Sequence, residues 1–256
     1  MAPQDLYALA FGFVSGALIV MTGVGAGVIV VPGLIALFGL PPTMAVGTAS
    51  AFSVLTRIMA TFEHLPLDHD TRKLLYDFGK LAIPATLAMA FLINLLLNYL
   101  PLWRGAIQTG LKITVVIAAA CAMAMLFLEG LNLAMRRAGP RVLPLVTGAL
   151  IGATGIGGGV LIVPALLAVS NASIKRVIGL SVIMGLVLSL ITGAIYGASG
   201  ELNWRIALVM TVGSLISMPV AGRLFKRSSD AQVRLLSAAV MALAIAGLVI
   251  DLVARR

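Results

Sequence analysis

The sequence predicts an all-α polytopic membrane protein built from two homologous halves. Three observations predict it. Of 256 residues, 61% are apolar and 11% charged, with a mean hydropathy of +1.11, whereas an ordinary soluble domain carries about 25% charged residues. The apolar residues gather into runs long enough to cross a bilayer, each span needing about 20 of them. The chain also repeats itself at an offset of 132, where Val14 to Phe52 matches Val146 to Met184 at 15 of 39 positions.

The core of the repeat is Thr22-Gly-Val-Gly-Ala-Gly-Val-Ile-Val-Val-Pro32 against Thr154-Gly-Ile-Gly-Gly-Gly-Val-Leu-Ile-Val-Pro164. It divides the chain into an N-terminal transmembrane repeat over 1–130, a connecting loop over 131–139 and a C-terminal transmembrane repeat over 140–256. No stretch is left for a soluble enzyme domain. Met1 to Tyr7 carries Asp5 and no Lys or Arg, so it lacks the basic n-region of a cleaved signal peptide. The formal charge of +9 resides in short clusters between apolar runs, which speaks for topology and against nucleic acid. Cys121 is the single cysteine and can form neither an internal disulfide nor a thiolate metal site.

Taken in order, the first apolar run is Leu6 to Leu40, whose 35 residues would make a helix of about 50 Å, longer than a hydrocarbon core of about 30 Å. Gly23, Gly25 and Gly27 interrupt it. Pro32 follows, lacking a backbone donor and disfavouring helical angles at Val31. The run reads as a helix, a glycine turn and a second short helix starting near Pro32. Met44 to Phe62, Phe78 to Leu100 and Ala106 to Leu128 are then three spans. The second half repeats this order: Val142 to Val169, broken by Gly155, Gly157, Gly158 and Gly159 before Pro164, then Val177 to Ala198, Ile206 to Val220 and Val233 to Val253. His64 to Asp77 reads as a polar loop.

Charge discriminates between two threadings. If each broken run crosses the membrane once, the loops of the two faces hold nine and seven basic residues. If each instead returns to the face it entered, one face collects 12, including Arg72, Lys73, Arg136, Arg137, Lys175 and Arg223. The other keeps Arg104, Arg205, Arg255 and Arg256. The second threading has the asymmetry expected of cytoplasmic loops. Each half is then a glycine-broken helical hairpin plus three spanning helices, and the halves form an inverted repeat with both termini periplasmic. Inverted repeats with interrupted helices at matching positions point to a substrate site at the repeat interface and to alternating access.

Several residues could carry that chemistry. Irregular backbone survives in lipid only where protein or a wet cavity supplies partners. Glycine lets amide groups approach a ligand, and a following helix N-terminus adds partial positive charge. Two opposed breaks would thus hold an anion through Gly23, Gly25, Gly27, Gly155, Gly157, Gly158 and Gly159, with Thr22 and Thr154 adding hydroxyls. The alternative is close helix packing, for which Gly12 with Gly16 and Gly148 with Gly152 have the required spacing. Thr48, Ser50 and Ser181 follow the breaks and could line the same cavity or pack helices. Arg57 lies inside the second run, where a charge costs roughly 2.5 to 3.5 kcal/mol and is a functional candidate; it could also snorkel toward Glu63 and His64. Its repeat partner is Ser189.

His64, Asp68, His69 and Asp70 read as a solvated loop and not as metal ligands, and no metal or cofactor is expected. The acids, from Asp5 to Asp251, fall in loops or near run ends. Proton or sodium coupling usually needs a carboxylate at a helix centre, so the expectation is a weakly coupled or uncoupled exporter. The membrane potential would favour anion exit by about 2.3 kcal/mol per charge per 100 mV.

At the two breaks the sequence resembles the sulfite exporter TauE/SafE family. The residues concerned are Gly23 to Pro32 with Ala45-Val-Gly-Thr48, and Gly155 to Pro164 with Ile178-Gly-Leu-Ser181. The first copy departs from the pattern at Ala26 and Ala49, where the second has Gly158 and Ser181. The resemblance implies a multi-pass permease of the bacterial inner membrane that exports small sulfur-containing anions such as sulfite, thiosulfate or an organosulfonate, and not an enzyme. Its partners would be that anion and the lipid bilayer, with a homodimer as candidate assembly. An anion channel of the same architecture and a non-transporting membrane scaffold are the competing readings.

Overall fold

A computed structural model of the chain describes residues 3–22, 26–62, 69–127, 129–155, 159–170 and 174–227, with isolated positions between 229 and 250. Most of the described residues are helical, and none of them forms a strand. In order the helices are α1 (Pro3–Thr22), α2 (Ala26–Phe38), α3 (Pro42–Phe62), α4 (His69–Tyr99), α5 (Arg104–Phe127), α6 (Glu129–Thr154), α7 (Gly159–Val169), α8 (Ile174–Ala198) and α9 (Trp204–Arg227), with a 3-10 turn at Pro101–Trp103. The stretches His69–Tyr99, Gly179–Ala198 and Trp204–Leu224 are long and apolar enough to cross a membrane.

Both long apolar runs are broken where the glycines cluster. α1 and α2 are separate helices, as are α6 and α7. With 13 and 11 residues, α2 and α7 reach only about 20 Å and 16 Å, short of a hydrocarbon core of about 30 Å. Both are sunk into the protein: Val30, Val31, Leu34 and Ile35 of α2, and Ile162, Ala165 and Leu166 of α7, are buried.

Three sequence expectations are corrected. Pro32 does not open α2 but lies inside it, and Val31 is helical. The proline removes one intrahelical bond, a smaller cost than exposing the buried apolar side chains around it. His69 and Asp70 are not loop residues, because they form the first turn of α4, where an acidic side chain suits the positive helix end. The connecting stretch 131–139 is helical rather than a loop. α6 is interrupted only at Gly139, whose φ of 84° and ψ of 165° precede a Pro140 well suited to restart a helix.

The two halves exchange helices. α1 packs along α9, and α6 packs along α4. A side chain at Gly16 would strike Ser214, and one at Gly148 would strike Ala82. These contacts are images of each other, since 16 and 82 become 148 and 214 on adding 132. Both pairs run parallel: Gly12 meets Met210 before Gly16 meets Ser214, and Gly152 meets Thr86 after Gly148 meets Ala82. The absent side chains let the backbones approach, which is how small residues join helices where no water is present to drive association.

α3 and α8 occupy equivalent places in the repeat and lie against each other in opposite directions. Ser53 meets Ser189, and Arg57 meets Gly185 and Ser181. Each hairpin also returns to the end it came from. Asp5 near the start of α1 accepts from Arg205 at 3.0 and 2.8 Å, and Thr43 at the start of α3 donates to Glu201 at 2.8 Å. Both ends of the first hairpin thus abut residues 201–205. The second hairpin opens at the other end, where α4 begins, because α6 and α8 both run along α4 in its own direction. The pairs that fix this are Gly148 with Ala82, Gly79 with Met184, and Asn94 with the Ile195 carbonyl.

Candidate functional site

One face of α3 carries Thr43, Gly47, Ser50, Ser53 and Arg57, spaced three or four residues apart and therefore stacked on one side of the helix. All five are buried. This face meets α8 and the segment joining α8 to α9.

Arg57 is the most consequential member. It is 4% exposed and turned into the protein, not snorkelling toward 63–64. Its Nε donates to Ser53 Oγ at 2.9 Å, and its Nη1 donates to the carbonyls of Ser181 at 3.0 Å and Val182 at 3.3 Å. Ser189 Oγ donates to the same Ser53 oxygen at 3.2 Å. Gly185 supplies the notch, since a Cβ there would overlap the guanidinium. Under the 132 offset Arg57 corresponds to Ser189 and Ser53 to Gly185, so the four residues are two repeat-related pairs carrying different chemistry. Ser53 lies 11 residues into α3, roughly 16 Å from its start. Arg57 lies 15 residues into the same 21-residue helix, roughly 22 Å along it, and its guanidinium reaches back to Ser53 inside the span, where hydrogen bonds from a charged donor offset part of its desolvation.

The remaining expected site residues divide. Thr48 is buried, but its hydroxyl accepts from the Asn203 amide at 3.0 Å and so belongs to the α8–α9 segment. Ser50 is buried, faces Gly193, and its Oγ has no hydrogen-bond partner among the described residues. Ser181 joins the Arg57 cluster through its carbonyl. Thr154 donates to Leu150 of its own helix at 2.6 Å. Gly155 has a left-handed φ of 62° and donates to the Ile151 carbonyl at 2.8 Å, an ending that a side chain would strain. Thr22 closes α1, Gly27 is buried early in α2, and Gly159 opens α7. Gly23, Gly25, Gly157 and Gly158 lie outside the described residues.

The described helix ends beside the two breaks are not neighbours. Gly155 abuts Val46, four residues into α3 and close to the end that holds residues 201–205. Thr22 lies six residues beyond Gly16, whose partner Ser214 is already ten residues into α9. That register sets Thr22 about 20 Å further along the bundle than Gly155. The turn glycines that would line a shared pocket lie outside the described residues. Ser53 and Ser189 of the α3–α8 crossing lie between the levels of Gly155 and Thr22.

Sequence reasoning missed Ser53, Gly185 and Glu201. Glu201 was grouped with the loop acids, yet it is 8% exposed, accepts from Thr43, and pairs with Arg104. Its available signal was Asn203, whose Oδ1 caps α9 by accepting from the Ile206 amide at 3.1 Å and so fixes the preceding residues.

Apolar helices long enough to span a bilayer, with an ionisable side chain buried where two of them cross, are the make-up of a membrane transport protein. The family model described as Sulfite exporter TauE/SafE matches residues 8–248, and the chain belongs to that family. It is similar to the probable membrane transporter protein YjnA of Bacillus subtilis, 23% identical over 239 residues that cover 90% of this chain and 94% of that one. It is also similar to a probable membrane transporter protein of Methanocaldococcus jannaschii, 27% identical over 247 residues that cover 90% of each chain. No solved structure matches.

Proposed function

We propose that this protein is an inverted-repeat, alternating-access permease that moves small sulfur-containing oxyanions, such as sulfite, thiosulfate or an organosulfonate, outward across a bacterial inner membrane. The observation that carries the reading is the Arg57 guanidinium, buried inside the span of α3 where the repeat-equivalent α3 and α8 run antiparallel. Substrate sites of inverted-repeat carriers lie at such interfaces. A planar guanidinium suits an oxyanion because it offers parallel donors at the spacing of two oxygens. The incoming anion exchanges with the helix carbonyls of Ser181 and Val182, while Ser53 and Ser189 supply hydroxyl contacts. The helix ends at Thr22 and Gly155 lie toward either end of this crossing, and the glycines beyond them give the path its two approaches. With the basic loops cytoplasmic, both termini face the periplasm.

Reconstitution into proteoliposomes tests the reading. Wild-type protein should carry sulfite, thiosulfate or sulfoacetate with saturable kinetics, and Arg57→Gln should abolish the flux while inserting normally. Absence of flux for every such anion, or unchanged flux in the variant, would contradict it. Saturation separates a carrier from a channel.

A further inference from the structure

The segment between α8 and α9 crosses the N-terminal end of α3 and is tied there by four independent contacts. Thr43 Oγ1 donates to Glu201 Oε2 at 2.8 Å, and the Arg104 guanidinium pairs with Glu201 Oε1. The Asn203 amide donates to Thr48 Oγ1 at 3.0 Å. The Glu201 carbonyl lies so close to Gly47 that no Cβ would fit between them. The Glu201 side chain is 11% exposed, whereas that of Arg104 is 52% exposed. A carboxylate without charge compensation at such a site would be costly, so the pair holds the segment down by removing that cost. The three side chains come from three places: Thr43 from α3 and Arg104 from the start of α5 in the first half, and Glu201 from the second half.

The equivalent end of the molecule is written differently. Adding or subtracting 132 carries Thr43 to Lys175, Arg104 to Leu236 and Glu201 to His69. Nothing at these positions can reproduce a buried carboxylate held by a guanidinium, and the His69 side chain is 93% exposed. The architecture repeats, but this fastening does not.

Its position along α3 gives the fastening a role. The same helix face that bears Thr43 leads through Gly47 and Ser50 to Ser53 and Arg57. Arg57 lies 14 residues beyond Thr43, roughly 21 Å along the helix. Between them Ser50 keeps a buried hydroxyl without a partner among the described residues, an unusual cost that a passing polar species would relieve. We propose that Glu201, Arg104 and Thr43 form a gate that seals the Arg104 end of the path to Arg57, and that the protein is held here in the state closed at that end. This rests on the alternating-access reading. Opening the gate means separating Glu201 from Arg104 and Thr43, which releases the α8–α9 segment from α3.

Accessibility labelling tests the gate without reference to the substrate. With Cys121→Ser as background, Ser50→Cys is reacted with a membrane-impermeant thiol reagent added from either side of oriented vesicles. Labelling from the Arg104 side should be slow in this protein and rise several-fold on adding Glu201→Gln. The charge exchange Glu201→Arg with Arg104→Glu should return it toward the starting rate, an outcome that mere loosening of the fold does not give. If Glu201→Gln fails to insert, Thr43→Val removes one contact and should raise the rate to a smaller degree. Equal labelling with and without Glu201→Gln, or an increase confined to the opposite side, would overturn the gate. Absence of anion flux in the unmodified protein would instead overturn the transport reading, whatever the labelling shows.

Discussion

The seams α1–α9 and α4–α6 join the same two halves as the α3–α8 crossing, by opposite means. At the seams the contacts are made by small residues at close approach: Gly16 on Ser214 and Gly148 on Ala82, with backbones nearly touching and Thr86 donating to the Gly148 carbonyl at 2.9 Å. At the crossing the contacts are polar, with Arg57, Ser53 and Ser189 sharing one hydroxyl oxygen. A seam of missing side chains has one good separation, and any added atom spoils it. A crossing held by exchangeable hydrogen bonds can part and reform with another partner. The seams therefore keep the fold, and the crossing is where the proposed anion site lies.

That contrast can be broken at several strengths. Gly148→Leu should have the largest effect, because the new side chain meets the Ala82 backbone and not a flexible chain end. Overpacking of this kind costs about 1–3 kcal/mol or more, so detergent-extracted variant should lose its monodisperse size-exclusion peak. Gly185→Ala should act differently. The added methyl meets only the mobile end of Arg57, so the protein should extract normally while flux falls as the guanidinium is displaced. Recovery of a normal peak by Gly148→Leu, or loss of the peak in Gly185→Ala, would erase the distinction. The smallest effect belongs to Ser15→Ala. The Ser15 Oγ of α1 is buried with no hydrogen-bond partner among the described residues, so removing it should leave the unfolding midpoint unchanged or slightly raised. A marked drop would mean that α1 depends on a polar contact through this hydroxyl.

Much of the fold was legible because lipid imposes strict rules on backbone. The glycine clusters broke both runs as expected, and the partition of Arg and Lys among loops pointed to hairpins that return to the end they enter. The errors arose where local signals were weighed without their surroundings. Pro32 looked like a helix start, yet the buried side chains flanking it, Val30, Val31, Leu34 and Ile35, keep it inside the helix. Stretch 131–139 looked like a loop because it is basic and contains Gly139, but one residue with positive φ is enough for the turn. The site was less legible. Arg57 stood out because a charge in an apolar run is rare, and the repeat named Ser189 as its counterpart without showing that both would meet Ser53. Ser53 and Gly185 gave no comparable sign, since a serine and a glycine in an apolar helix ordinarily pack. The glycines expected to line a pocket between the breaks lie outside the described residues, while the adjoining Thr22 and Gly155 stand at different depths because the hairpins enter from opposite sides.

The central claim is that the anion is held at the α3–α8 crossing and not at a glycine turn. The most direct test is an experimental structure of the protein with selenite, in which anomalous scattering from selenium locates the anion. The signal should lie within hydrogen-bond reach of the Arg57 guanidinium, near Ser53 and Ser189. Selenium at the turn between Gly155 and Gly159, with Arg57 still bonded to the carbonyls of Ser181 and Val182, would contradict it.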